Sequence, residues 1–179
     1  MRVIGLDTET TRINGQNNVP FIATIAYRGK LIDSELMRWE YKTELYDINN
    51  TIDFDHLKRL CENPAVVKIC HALTYDAYAL KLKGINVCPP YEDTLICSSY
   101  YNEYLEGRKL KGLARTYLNE ECLEEKELRK IKAKYKREAK KKKVSFYYSD
   151  IPPEVLFPYA RMDAVYTLRL WDELYNAPL

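Results

Sequence analysis

At 179 residues and 21.1 kDa, with 46% hydrophobic and 30% charged residues, the chain is long enough to bury a core and too apolar to be an intrinsically disordered polymer. No apolar run approaches the length of a membrane-spanning helix, and the N-terminus lacks the apolar region of a signal peptide, so the expected protein is cytoplasmic, with no membrane partner. Net charge is only +2, but Lys126 to Lys143 holds eleven basic and two acidic residues, a +9 that leaves the rest of the chain at −7. Five cysteines (Cys61, Cys70, Cys88, Cys97, Cys122) without CxxC spacing, and two histidines (His56, His71), argue against a zinc site or a disulfide framework.

In chain order, Val3 to Leu6 is a short apolar run that reads as a buried strand. Residues 14–20, rich in Asn and Gly, predict a turn, Phe21 to Tyr27 a second strand, Arg28-Gly29-Lys30 a hairpin turn, and Leu31 to Tyr41 a third strand. Three strands joined by tight turns predict an antiparallel meander. The pattern then changes. Asp53 to Cys61 reads as a helix with Asp53 as its cap, and Val66 to Cys70 as a β-branched strand. Tyr75 to Lys83 reads as a helix closed by Gly84. Asp93 to Cys97 fits a short strand or the start of a helix, and Leu110 to Leu118 is helical with Leu110, Leu113, Ala114 and Tyr117 on one face. The basic segment, at about 124–143, is helical by composition, and Leu128, Ile131, Tyr135 and Ala139 form one narrow apolar stripe in it. Pro152-Pro153-Glu154 starts a helical turn, and Pro158 either kinks it or opens a last helix from Tyr159 to Tyr175. There are no repeats and no linker. One domain over residues 1–179 is therefore expected, of α/β class, with a mixed sheet covered by helices.

Strand alternation places Asp7 and Glu9 on the same face at the end of the first strand. Two adjacent carboxylates repel each other and resist burial, and a divalent cation answers both problems. Two further carboxylates are offered from helices: Asp76, near a helix N-terminus, and Asp163, with Tyr159 one turn before it. Four hard oxygen donors suit Mg2+ or Mn2+ rather than zinc, and such a set can hold two ions about 4 Å apart for in-line phosphoryl displacement.

Asp7-Thr8-Glu9, His71-Ala72-Leu73-Thr74-Tyr75-Asp76 and Tyr159-Ala160-Arg161-Met162-Asp163-Ala164 together resemble the three motifs of the DEDD 3′–5′ exonucleases. Within that family they are similar to the subgroup with Tyr four residues before the last Asp, since Pro158 stands where the other subgroup has its His. The segments Leu110 to Leu118 and Tyr166 to Leu170 also resemble those flanking these motifs in the proofreading domains of family A DNA polymerases, so the likeness runs from Val3 to about Trp171. It implies a ribonuclease H-like fold, an antiparallel N-terminal meander plus parallel strands, and two divalent metal ions, Mg2+ or Mn2+. The implied reaction is hydrolysis of the 3′-terminal phosphodiester of DNA to nucleoside 5′-monophosphates, on a single-stranded or frayed end, with a polymerase as a candidate partner. By the same resemblance Asp7, Glu9, Asp76 and Asp163 hold the metals, and Tyr159, a poor base at a reference pKa of about 10, orients the attacking water.

The second motif departs from the polymerase branch, because Ala72 stands where Asn is usual, leaving His71 or Thr74 to take over substrate positioning. His71 otherwise reads as a structural residue. Thr8 and Thr10 either hydrogen-bond the terminal nucleotide or cap the turn. Lys140, Lys141, Lys142 and Lys143 either grip the phosphate backbone or keep the surface solvated; the acidic remainder of the chain favours binding. Tyrosine clusters at Tyr100-Tyr101-Tyr104 and Tyr147-Tyr148 offer stacking platforms or core aromatics. Two other readings remain: an RNA 3′-end processing exonuclease, and a nucleic-acid-binding module of the same fold with weakened catalysis.

Overall fold

The computed structural model describes residues 2–11, 19–33, 38–105 and 107–176. Its sheet is built from β1 (Arg2–Thr10), β2 (Pro20–Asp33), β3 (Arg38–Asp47), β4 (Val66–Cys70) and β5 (Tyr91–Asp93), in the spatial order β3-β2-β1-β4-β5. β1, β2 and β3 pair antiparallel, whereas β4 lies parallel to β1 and β5 parallel to β4. The helices are α1 (Thr51–Glu62), α2 (Leu73–Leu82), α3 (Thr94–Tyr101), α4 (Leu110–Leu118), α5 (Leu123–Lys142) and α6 (Pro153–Asn176), with a 3-10 turn at Tyr148–Asp150 before α6. This is the expected mixed sheet, a meander followed by parallel strands, with helices packed on it. No described helix is long and apolar enough to cross a membrane.

Strand parity divides the molecule into two cores. On one face of the sheet Ile4 and Leu6 of β1 join Ile25, Leu57, Leu60, Val66 and Leu80 beneath α1 and α2. On the other, Val67 and Ile69 of β4 pack against Ala164, Val165 and Leu168 of α6. Odd-numbered residues of β1 thus face α6, and even-numbered ones face α1 and α2. The approach of α6 is intimate at Gly5, where an added Cβ would lie 2.4 Å from the Ala164 carbonyl oxygen and 3.0 Å from Leu168 Cβ. Only glycine allows it.

Several local expectations change. β1 continues to Thr10, so Asp7 and Glu9 lie within the strand. Arg28-Gly29-Lys30 is not a turn: β2 runs through it to Asp33, with register irregularities between Arg28, Leu31 and Asp33. A Cβ at Gly29 would lie about 3.2 Å from the side-chain ends of Glu40 and Lys42 of β3, a tight contact that those flexible ends can relieve. The predicted turn at 14–20 lies mostly outside the described residues. At α1 the cap is Asn50, whose Oδ1 accepts from the Ile52 and Asp53 amides, while Asp53 accepts from the Asp47 amide. Asp93 ends β5 and caps α3, so its segment is both strand and helix start. Pro158 does not open the last helix: α6 begins at Pro153 and passes through it. The apolar neighbours Val155, Leu156, Phe157 and Tyr159 pack with Leu128 and Ile151, holding this stretch of helix in place despite the missing amide.

The corner between β4 and α2 turns at Ala72, which has φ 67°. Asp93 stabilises it, accepting the Ala72 amide on Oδ1 at 3.0 Å and the Leu73 amide on Oδ2 at 2.8 Å. A left-handed alanine costs about 1 kcal/mol, and asparagine tolerates both this conformation and the N-cap position. Ala72→Asn is therefore expected to stabilise the protein by roughly 1 kcal/mol and to raise the melting temperature by roughly 2–4 °C, read by thermal denaturation.

Candidate active site

The parity of β1 sorts the first motif. Asp7 and Glu9 point toward α6, where Asp163 meets them, and one oxygen from each of the three carboxylates falls within a 4.8 Å cluster. Glu9 and Asp163 are buried, and Asp7 keeps partial access to solvent. Thr8 points the other way. Beyond Gly5, the last residue of β1 paired with β4, the strand edge is free, and the Thr8 amide and hydroxyl donate to Asp76 Oδ1 at 3.1 and 2.7 Å. Asp76 is thus seated behind the strand, outside the three-carboxylate cluster but close enough to be felt by Asp7 and Glu9. Thr10 shares a 2.6 Å hydrogen bond with the Tyr75 hydroxyl.

Electrostatics at this point are dominated by burial and mutual repulsion. Burial, then the charges of Asp163, Glu9 and Asp76, hold the Asp7 carboxyl well above its usual range. Burial, Asp163 and Asp76 do the same to Glu9. Burial also raises Asp163, against the pull of Lys111 and of the Tyr159 hydroxyl. Asp76 is pushed up to about 7 by burial, although the Thr8 hydrogen bonds work downward. A cluster so costly to ionise has the donor chemistry that a hard divalent cation satisfies, and the residues fit such an ion. Tyr159 is driven far upward by burial and by Asp163 and Glu9, so its phenol stays protonated.

Two lysines that sequence reading passed over stand at this cluster. Lys111 of α4, 7% exposed, pairs with Asp163 and with Glu124, whose Oε1 is 2.8 Å away. Its ammonium also lies 4.6 and 4.5 Å from the ring centroids of Tyr159 and Tyr166. Burial lowers its basicity, but Asp163 and Glu124 outweigh that and the net shift is upward. Lys132 of α5 sits over the Tyr148 ring at 4.6 Å and lowers the Glu9 carboxyl. The available signal was helical spacing: Lys111 is three residues before Ala114, and Lys132 four after Leu128, so both adjoin apolar stripes.

The other candidates are more scattered. His71 is engaged on both ring nitrogens, Nδ1 with the Thr94 hydroxyl at 2.8 Å and Nε2 with the Arg108 carbonyl at 2.9 Å. Burial lowers its pKa, and Nε2 donates to the Arg108 carbonyl, which can only accept. It braces the segment carrying Arg108. Thr74 is exposed at the start of α2, and Lys140 to Lys143 are exposed at the end of α5, whose only fully buried residue is Leu128. Tyr100 and Tyr104 are exposed, Tyr101 packs edge-on against Tyr117, and Tyr148 is buried.

Residues 1–177 match the family model described as 3′–5′ exonuclease. The chain belongs to the 3′–5′ exonuclease family. Membership makes it a nuclease, and the divalent metals that this family uses suit the Asp7, Glu9 and Asp163 cluster. No curated protein is a significant sequence match. Among solved structures, this exonuclease is similar to Brucella melitensis NrnC at 16% identity and TM-score 0.65, covering 97% of this chain and 72% of that one. It is also similar to Escherichia coli RNase D, described as an exoribonuclease involved in structured RNA processing, at 18% identity and TM-score 0.62, covering 97% of this chain and 39% of that one. A third similarity is to the POL domain of Pol1 from M. smegmatis, in complex with DNA primer-template and dNTP, at 14% identity and TM-score 0.59, covering 96% of this chain and 23% of that one. These likenesses show the ribonuclease H-like fold.

Proposed function

We propose that this exonuclease removes nucleoside 5′-monophosphates from the unpaired 3′ end of DNA by a two-metal-ion reaction, and that it belongs to the Tyr subgroup. The observation that carries the reading is the convergence of Asp7 and Glu9 from one strand with Asp163 from the last helix, beside a phenol that stays protonated. Asp7, Glu9 and Asp163 would hold the first metal ion, and Asp76, hydrogen-bonded by Thr8 behind the strand, would help to place the second. The bound metal supplies an activated water and stabilises charge on the leaving 3′ oxygen. Tyr159 directs the attacking water by donating or accepting a hydrogen bond while its proton stays in place.

The substrate approach is electrostatic. Lys132, Lys136 and Lys140 recur at helical spacing along α5, from a partly buried position near Glu9 out to the exposed helix end, which Lys143 caps. Neutralising Lys140 to Lys143 is expected to flatten the salt dependence of single-strand affinity by about 0.7 in logarithmic slope for each phosphate that is no longer neutralised, measured by fluorescence anisotropy in EDTA. An unchanged slope would assign these lysines to solubility alone.

A second reading, removal of nucleotides from RNA 3′ ends, draws support from the likeness to RNase D and from a form of NrnC bound to pGG. The deciding experiment compares 5′-labelled DNA and RNA of one sequence, single- and double-stranded, with Mg2+, Mn2+ or EDTA. A ladder shortening from the 3′ end, lost in EDTA and faster on DNA, supports the proposal; faster trimming of RNA favours the second reading. Whether a polymerase is the partner is tested by adding a mismatched primer terminus and measuring the gain in trimming over a matched one.

A further inference from the structure

Lys111 is the buried cation with the most unusual surroundings among the described residues. Lys68, fully buried in β4, satisfies its ammonium on two backbone carbonyls, Asn63 at 3.0 Å and Val66 at 2.8 Å. Lys111 instead stands between the buried Asp163, the part-buried Glu124 and two tyrosine rings. One of those carboxylates is Asp163, a member of the three-carboxylate cluster, and the ammonium is ion-paired with its Oδ1. The other is Glu124, in the first turn of α5 and outside the cluster.

We propose that Lys111 is a resident counter-ion of this cluster, which a divalent ion displaces from Asp163 toward Glu124. An ammonium ion-paired with Asp163 occupies a carboxylate that a metal in this cluster must bond. Two cations cannot share it at touching distance without strong repulsion. Retreat is easy, because Glu124 Oε1 is already 2.8 Å from Nζ, and the faces of Tyr159 and Tyr166 hold the charge in either position. Metal-free, the carboxylates keep a partial neutraliser; metal-loaded, Lys111 leaves Asp163 free and remains paired. Lys111 is thus a positioning residue that sets metal affinity, and it also ties α4 and α5 to the state of the site. The inference rests on reading Asp7, Glu9 and Asp163 as the metal site.

The test is Mn2+ titration of the whole chain by calorimetry, without nucleic acid, in the unaltered protein, Lys111→Met and Glu124→Gln. Methionine keeps the stem between the two rings while removing the competing charge, so Mn2+ is expected to bind roughly ten-fold tighter, the scale of one charged hydrogen bond. Glu124→Gln deprives the displaced ammonium of its acceptor, and Mn2+ is expected to bind more weakly. Equal or weaker binding by Lys111→Met, or equal or tighter binding by Glu124→Gln, overturns the proposal, and the second variant suffices if the first does not fold. No Mn2+ uptake by the unaltered protein would instead remove the metal-site reading itself, and this inference with it.

Discussion

Replacing Asp163 with alanine is expected to lower the exonuclease rate by on the order of 10³-fold or more, the scale of losing a charged group that acts in the transition state, whereas Tyr159→Phe leaves a measurable remainder, roughly 1–10%. The difference follows from what each group does. Asp163 supplies one of three oxygens in the 4.8 Å cluster and is the one contributed by α6, so its loss removes the link between helix and strand in that cluster. Tyr159 has its phenol held far above its ordinary pKa by burial and by Asp163, so it cannot serve as a base, and phenylalanine removes a hydroxyl that hydrogen-bonds Asp163 without removing a carboxylate of the cluster. Single-turnover rates on a 5′-labelled strand, with melting curves to show that both variants are folded, check the pair. Full rates in both would remove these residues from the reaction.

The second large effect is on stability. In EDTA the protein is expected to lose a few kcal/mol as pH rises from about 4 to about 7, the reverse of the trend set by carboxylates in ion pairs. Asp76 has a folded pKa of about 7 against an ordinary 3.8, so between those values the native state holds a proton that the unfolded chain has released. Stability then falls with rising pH and levels off above the folded value. Asp7, Glu9 and Asp163 are raised as well and act in the same direction. His71 opposes them, since its lowered pKa means that the unfolded chain binds the extra proton below about pH 6.5, and Glu62 and Glu125, lowered by their basic partners, oppose them near the acid end, but none of these three is as deeply buried as the four carboxylates. Millimolar Mn2+ is expected to invert the slope, because metal binds the ionised carboxylates of the folded state only. Melting temperatures at pH 5, 6, 7 and 8, in EDTA and in Mn2+, report both slopes. A metal-free melting temperature that climbs steadily from pH 5 to pH 8 would contradict the repulsive cluster.

What the sequence made legible is what rests on short-range periodicity. The two-residue period of a strand is enough to put Asp7 and Glu9 on one face, and the four-residue step of a helix pairs Tyr159 with Asp163. Order along the chain and resemblance to a known motif set did the rest for the carboxylates. Lys111 escaped because its surroundings are assembled from afar: Asp163 and Tyr159 come from α6 and Glu124 from α5, and its spacing to Ala114 marks only that it adjoins an apolar stripe, not what it pairs with. Gly29 misled for a related reason. Between Arg28 and Lys30 it looks like a turn, whereas it lies inside β2, at an irregularity in the pairing with β3. Ala72 showed as a departure from pattern, but its positive φ and the support from Asp93 are visible only in three dimensions.

The close approach at Gly5 bears on how this site holds its gauge. Asp7 lies two residues beyond Gly5 on the strand, and Asp163 immediately precedes Ala164, whose carbonyl oxygen Gly5 approaches. Strand and helix therefore meet main chain to main chain next to the donors, with no side chain acting as a spacer between them. The separation of the two halves of the donor set is a property of bare backbone thickness. Substitutions elsewhere in the two cores can accumulate without re-spacing the carboxylates, whereas one methyl group at position 5 would act as a shim driven into the joint that sets them.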